Sequence, residues 1–148
     1  MKIDHSEKAA ELFCNGCNCS QAVLCAFDED CGLDYNTAMK LSSSFGGGMG
    51  RLREVCGAVS AMFMVAGLLK GYTTDDPKQD KDNHYKLIQE LAHEFEAVHT
   101  TYICRELLGT IGKSSPVSDP RTPEYYKTRP CVRFVITASE ILDRHFFD

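Results

Sequence analysis

Residues 55–69 read VCGAVSAMFMVAGLL, and only Gly57, Ser60 and Gly67 interrupt their apolar side chains. A helix that is apolar on nearly all sides is either buried inside a protein or placed in a membrane. The stretch has 15 residues, and roughly 20 are needed to span a bilayer. We therefore predict a buried central helix over about residues 51–70 and no membrane span.

The rest of the chain also shows helical spacing of apolar residues, without strand-like alternation. About seven helices are predicted, so the fold class is all-α, an irregular or orthogonal bundle around the central helix. Residues 110–129 contain three prolines and several polar residues, and this pattern predicts a long surface loop. The 148 residues fit one domain, residues 1–148.

The overall composition is that of a globular protein, with 43% hydrophobic and 25% charged residues. A net charge of −5 without a long basic run argues against nucleic acid as a partner. Residues 1–10 carry four charged side chains and no apolar run, so we expect no signal peptide and a cytoplasmic location. A homodimer is a common state of small proteins, and the sequence neither favours nor excludes it.

Eight cysteines are many for a chain of this length, and in a reducing compartment they favour metal or redox chemistry over disulfides. Four of them stand at or near predicted helix starts: Cys19, Cys56, Cys104 and Cys131. A helix N-terminus carries about +0.5 of an elementary charge and unpaired N–H groups, so a thiol placed there ionises more easily. Four such thiols indicate metal ligands or redox partners that the fold brings together.

A glycine run, Gly46, Gly47 and Gly48, precedes the central helix. It fits neither the dinucleotide nor the P-loop motif, so no nucleotide cofactor is expected. Its backbone N–H groups are candidates to bind an anion such as a thiolate cluster, which makes these three glycines candidate cofactor-binding residues. Gly57 inside the central helix costs about 0.5–1 kcal/mol relative to alanine, which indicates that another group approaches closely at that position.

Cys14 and Cys17 have the CxxC spacing, but the sequence contains no second matching pair for a zinc site. We interpret them as an accessory dithiol beside Cys19. No CxxCH sequence occurs, so covalent haem is not expected. His93 and His99 are the histidine candidates for a ligand outside the cysteine set.

Several segments resemble the C-GCAxxG-C-C family, whose members are described as redox-active. They are NCSQAV at 18–23, FGGGMGR at 45–51, CGA at 56–58, CRELLG at 104–109, and Cys131 at the start of the last helix. The family's shared pattern contains four cysteines, which correspond to Cys19, Cys56, Cys104 and Cys131. The resemblance implies redox activity without a defined substrate, and related domains in multi-haem cytochromes imply electron transfer. One departure is Ala61, where the family's CGAxxG string ends in glycine.

Three functions remain open at this point. In the first, the four cysteines bind an iron–sulfur cluster or a single iron or zinc ion for electron transfer. In the second, the protein is a metal-free dithiol/disulfide oxidoreductase in which Cys56, with a lowered pKa, attacks and a second cysteine resolves the mixed disulfide. In the third, the chain is a helical binding module whose cysteines only pack. The electron-transfer or thiol partner is not identified by the sequence.

Overall fold

The computed structural model describes residues 4–110 and 112–148. Within these residues the chain forms ten helical segments, α1 (His5–Cys14), α2 (Cys19–Ala26), α3 (Asp28–Cys31), α4 (Tyr35–Ser43), α5 (Gly46–Met49), α6 (Gly57–Lys70), α7 (Lys78–His99), α8 (Cys104–Leu108), α9 (Pro123–Thr128) and α10 (Cys131–Phe146). The predicted all-α class is confirmed. Three short segments, α3, α5 and α9, add to the seven predicted helices.

The core lies where α2, α6 and α10 pack against one another, with α1 against α2 and α10 and with α7 against α6 and α10. The apolar stretch contributes Val59, Met62 and Val65, which are fully buried. The prediction of a buried central helix is therefore confirmed. No helix within the described part of the chain is long and apolar enough to cross a membrane.

The predicted start of the central helix near residue 51 is wrong, because α6 begins at Gly57. Arg51 and Arg53 have φ values of +68° and +61°, which no right-handed helix contains. Val55 then pairs with Ile103 in an isolated antiparallel bridge. Apolar spacing could not reveal this start, since a distant segment of the chain holds the backbone before α6.

The predicted loop at residues 110–129 contains one additional helix, α9, which begins with Pro123 at its first position. The Thr122 hydroxyl caps this helix by accepting a hydrogen bond from the Tyr125 N–H group at 3.2 Å. Position 111 of the predicted loop, and residues 1–3 of the charged N-terminal segment, lie outside the described residues. The other described residues from 112 to 122 are irregular, as predicted.

Candidate functional site

A cavity of about 270 Å³ lies between the starts of α2, α6, α8 and α10. All four predicted cysteines line it: Cys19, Cys56, Cys104 and Cys131. Gly46 and Gly47 are also part of its wall. The fold thus brings the four sulfur-bearing residues together, although they are far apart in the sequence.

Cys19 is the first residue of α2, and the N-cap residue Asn18 fixes it there. The Asn18 side chain accepts a hydrogen bond from the Gln21 N–H group at 2.8 Å, and the Gln21 side chain accepts one from the Asn18 N–H group at 3.0 Å. This reciprocal capping box satisfies two donors that the helix would otherwise leave unpaired. The predicted helix start at or near Cys19 is confirmed, and it defines the position of the Cys19 side chain.

Cys56 and Cys104 are positioned together by the antiparallel bridge before α6 and α8. The Cys56 N–H group donates to the Tyr102 carbonyl oxygen at 2.8 Å, and the Cys104 N–H group donates to the Glu54 carbonyl oxygen at 2.6 Å. Cys56 is thereby the N-cap of α6, and Cys104 is the first residue of α8. The bridge brings the two helix starts to the same side of the cavity.

The glycine run does not form a regular helix but a turn of left-handed residues. Gly47, Gly48 and Gly50 have φ values of +70°, +69° and +63°, and Met49 and Arg51 both have +68°. This conformation costs a residue with a side chain roughly 1–2 kcal/mol. A Cβ atom on Gly48 would lie 2.6 Å from the Cβ atom of Cys104. Glycine therefore lets the turn pack directly against the cysteine of α8.

Gly57 confirms the prediction that another group approaches the start of the central helix. A Cβ atom on Gly57 would lie 2.6 Å from the Cys19 Sγ atom and 2.7 Å from the Phe45 carbonyl oxygen. Real Cβ atoms do not approach other atoms this closely. The absence of a side chain at Gly57 therefore makes the space that the Cys19 sulfur occupies beside α6.

The pKa values of Cys19 and Cys56, which lie together in the cavity, differ from the prediction. A hydrogen bond from the Cys56 thiol lowers the pKa of Cys19 to about 6, and the N–H groups of Gly47 and Ser20 act in the same direction. The same hydrogen bond, together with burial, raises the pKa of Cys56 well above its usual value. The predicted lowered pKa of Cys56 is therefore wrong: the pKa is lowered on Cys19 and raised on Cys56.

The other two cysteines of the cavity remain protonated at neutral pH. Burial raises the pKa of Cys104, although the Arg53 guanidinium acts against it, with Nη1 lying 3.5 Å from the Cys104 Sγ atom. Burial and the nearby Cys19 sulfur raise the pKa of Cys131 to about 12. A helix start alone therefore does not ionise these thiols, because their desolvation outweighs the favourable field.

Four arginines line the same cavity: Arg51, Arg53, Arg121 and Arg129. Asp119 is the only carboxylate among the described lining residues, and it accepts hydrogen bonds from Arg51 at 3.2 Å and from Arg129 at 2.6 Å. Asp119 and Arg121 are not predicted from the sequence, because both lie in a segment whose pattern indicates a surface loop. The one available signal was the cluster of charged and aromatic residues between its prolines.

The remaining candidates lie away from the cavity. Neither cysteine of the CxxC pair lines it: Cys14 is exposed, and the buried Cys17 has its sulfur 3.8 Å from the Met39 sulfur. His99 shares a hydrogen bond of 2.8 Å with Thr137, and His93 is not among the lining residues. Across residues 4–110 and 112–148, no group of three or more His, Cys, Asp or Glu side chains is arranged to hold a metal ion.

A family model matches most of the chain. The model described as "Putative redox-active protein (C_GCAxxG_C_C)" matches residues 17–145. The chain belongs to this family. The matched range includes every lining residue of the cysteine cavity apart from Phe13. Neither the curated proteins nor the solved structures that were compared gave a match.

Proposed function

We propose that this member of the C_GCAxxG_C_C family is a thiol–disulfide oxidoreductase in which Cys19 attacks and Cys56 resolves. One observation carries the proposal: Cys19 and Cys56 lie together in the wall of the cavity, where a Cβ atom on the adjoining Gly57 would lie 2.6 Å from the Cys19 sulfur. The Cys56 side chain also lowers the pKa of Cys19 to about 6. Most molecules then hold the Cys19 thiolate at neutral pH, beside a second thiol that is still protonated. Since the thiolate is the attacking form, the pair is prepared for disulfide exchange.

The reaction begins when the Cys19 thiolate attacks one sulfur of a substrate disulfide, which is the oxidant. The substrate's sulfur–sulfur bond breaks, one half leaves as a thiolate that takes a proton from water, and the other half stays on Cys19 as a mixed disulfide. Cys56 then loses its proton to solvent and attacks the Cys19 sulfur. The second half of the substrate leaves as a thiolate, and a Cys19–Cys56 disulfide remains.

The surroundings of the pair support this division of roles. The hydrogen bonds from Gly47 and Ser20 favour the thiolate on Cys19 before the substrate arrives. Once Cys19 is in a mixed disulfide, its negative charge is gone, and that charge is one of the causes that raise the pKa of Cys56. Attack on the substrate therefore removes one obstacle to ionisation of the resolving thiol.

The proposal is tested by oxidising the reduced protein with a small disulfide and counting free thiols after denaturation. The chain has eight free cysteines, so one intramolecular disulfide leaves six, and peptide mapping should find it between Cys19 and Cys56. Cys56→Ser should trap the mixed disulfide on Cys19, and Cys19→Ser should abolish the reaction. Cys25→Ser, which changes a buried cysteine outside the cavity, is the control. A disulfide between any other pair, or none, contradicts the proposal.

Metal-dependent electron transfer is the second candidate, and the convergence of four cysteines on one cavity supports it. Four thiolates suit an iron–sulfur cluster, iron or zinc. Binding would require the side chains to rearrange, because the described residues present no ready group of ligands. Iron, zinc and acid-labile sulfide should be measured on protein purified without oxygen. One bound metal or cluster per chain that is lost in Cys104→Ser and Cys131→Ser would favour this candidate over the first.

A further inference from the structure

We infer that the cavity selects a small anionic sulfur compound that carries a sulfur–sulfur bond, with Arg53 and the neighbouring arginines binding its negative charge. This inference rests on the proposed function, since Cys19 is the group that attacks the bound sulfur–sulfur bond. The step is the exchange described above: the Cys19 thiolate forms a bond to one sulfur, the substrate's bond breaks, and the other half leaves as a thiolate.

The small size of the substrate follows from the burial of the cysteines. The exposed fractions of Cys19, Cys56 and Cys104 are 8%, 4% and 7%. A small molecule that enters the cavity of about 270 Å³ reaches these sulfur atoms more readily than a disulfide held on the surface of another folded protein.

The negative charge of the substrate follows from the balance of charges around the cavity. Four guanidinium groups line it, and the described lining residues offer only Asp119 and the Cys19 thiolate against them. A charge that is partly removed from water is normally paired with an opposite charge, because desolvation of an unpaired ion is unfavourable. An anion placed in the cavity would complete the pairing.

Arg53 is the clearest case of an incompletely paired charge. Its exposed fraction is 3%, yet no carboxylate of the described residues forms an ion pair with it. Its Nε group donates to the Ser114 hydroxyl at 2.9 Å, and Nη1 lies 3.5 Å from the Cys104 sulfur. Neither of these partners is a carboxylate. A buried guanidinium beside Cys104 thus lacks a carboxylate partner among the described residues.

Two further arginines are held in place before any substrate binds. Arg121 donates to the carbonyl oxygens of Phe13 at 3.2 Å and Cys17 at 3.0 Å. The guanidinium carbons of Arg121 and Arg129 lie 4.7 Å and 4.9 Å from the centre of the Tyr125 ring. Side chains fixed in this way lose little entropy on binding, which favours recognition of a small anion.

The inference is tested with three disulfides of similar size and different charge: anionic 3,3′-dithiodipropionate, neutral 2-hydroxyethyl disulfide and cationic cystamine. The rate of reaction with the reduced protein is divided by the rate of each disulfide with free 2-mercaptoethanol, which removes differences in intrinsic reactivity. We expect the anionic compound to exceed the neutral one by about tenfold and the cationic one to be slowest, with the difference reduced by salt.

Substitutions of single arginines show which side chains cause the preference for the anionic disulfide. Arg53→Met should lower the ratio of anionic to neutral rates about fivefold. Arg129→Gln replaces it as the test if Arg53→Met does not fold. Arg144→Gln is the matched control, because Arg144 pairs with Glu94 at 3.5 Å but does not line the cavity. Its ratio should equal that of the unchanged protein, and an equal loss in the control and the cavity variants overturns the inference.

A separate binding measurement keeps the inference distinct from the proposed function. Sulfate should slow the alkylation of Cys19 by neutral iodoacetamide, and dimethyl sulfone, its neutral counterpart in shape, should not. Equal normalised rates for the three disulfides, with a Cys19–Cys56 disulfide still formed, overturn the anion preference and leave the proposed function standing. The absence of protection by sulfate overturns the anion site even if no disulfide reacts.

Discussion

A Cβ atom built on Gly57, the residue after Cys56 at the start of α6, would lie 2.6 Å from the Cys19 sulfur at the start of α2. The two cysteines therefore meet inside the fold, where the Cys56 side chain lowers the pKa of Cys19 and the Cys19 side chain raises the pKa of Cys56. The reactivity of either cysteine depends on the other, and this dependence is open to direct measurement.

The rate at which iodoacetamide alkylates Cys19 should follow its pKa of about 6. A lowered pKa means that the thiolate persists above that value and is lost as the pH falls through it. We expect the rate, measured by mass spectrometry of the Cys19 peptide, to reach half of its maximum near pH 6. An ordinary cysteine has its midpoint at about pH 8.5, and such a midpoint for Cys19 would contradict the assignment of the thiolate.

Cys56→Ala should move that midpoint upward toward the ordinary cysteine value of about 8.5, because the main hydrogen bond to the Cys19 thiolate is lost. Cys56→Ser is the matched comparison, since its hydroxyl can still donate, and its midpoint should lie between those of the alanine variant and the unchanged protein. Cys25→Ala serves as the control outside the cavity. Identical profiles for the alanine and serine variants would show that the hydrogen bond does not set the pKa.

Two glycines of α6 allow the same substitution to be compared on one helix. Gly67 has no atom within 4 Å of a built Cβ position, so Gly67→Ala should stabilise the protein by about 0.5–1 kcal/mol. Gly57→Ala would bring a methyl group 2.6 Å from the Cys19 sulfur, and the crowding should destabilise it by roughly 1–3 kcal/mol. Urea unfolding of both reduced variants measures the difference. Equal stabilisation by both would contradict the close contact.

Local sequence signals predicted the parts of the site that depend on nearby residues. The start of α2 at Cys19 depends on contacts between Asn18 and Gln21, three residues apart, so residue type and spacing were sufficient to predict it. The start of α6 depends instead on a bridge to Ile103, nearly fifty positions away. The positive φ values of Met49, Arg51 and Arg53 have no local signal, because these residue types normally avoid that region.

Dependence on residues far away in the sequence also explains why the pKa values of the site could not be predicted. A cysteine at a helix start was expected to have a lowered pKa, yet burial raises the pKa of Cys104 and Cys131. The depth of a side chain depends on the whole fold, including the segment around Asp119 and Arg121 that closes the cavity. Sequence spacing can therefore predict which thiols meet, while the protonation of each one depends on tertiary packing.

His5 makes buried contacts with residues far away in the sequence, and no sequence pattern predicts them. Its exposed fraction is 4%, with Nδ1 lying 2.5 Å from an Asp143 oxygen and Nε2 lying 2.7 Å from an Asp30 oxygen. Its ring stacks on Phe27 with the ring centres 4.0 Å apart. The histidine thereby joins the start of α1 to α3 and to the last part of α10.

His5→Ala should destabilise the protein by about 1–3 kcal/mol, because the buried Asp143 carboxylate loses the imidazole and keeps the backbone N–H group of residue 5. His145→Ala is the matched control: His145 pairs with Glu94 at a more exposed position, and such pairs contribute about 0–1 kcal/mol. Urea unfolding at pH 7 under reducing conditions measures both variants. The reaction of Cys19 with iodoacetamide should be unchanged in the folded His145 variant. A loss below about 1 kcal/mol for His5→Ala would show that the two carboxylates do not depend on the imidazole.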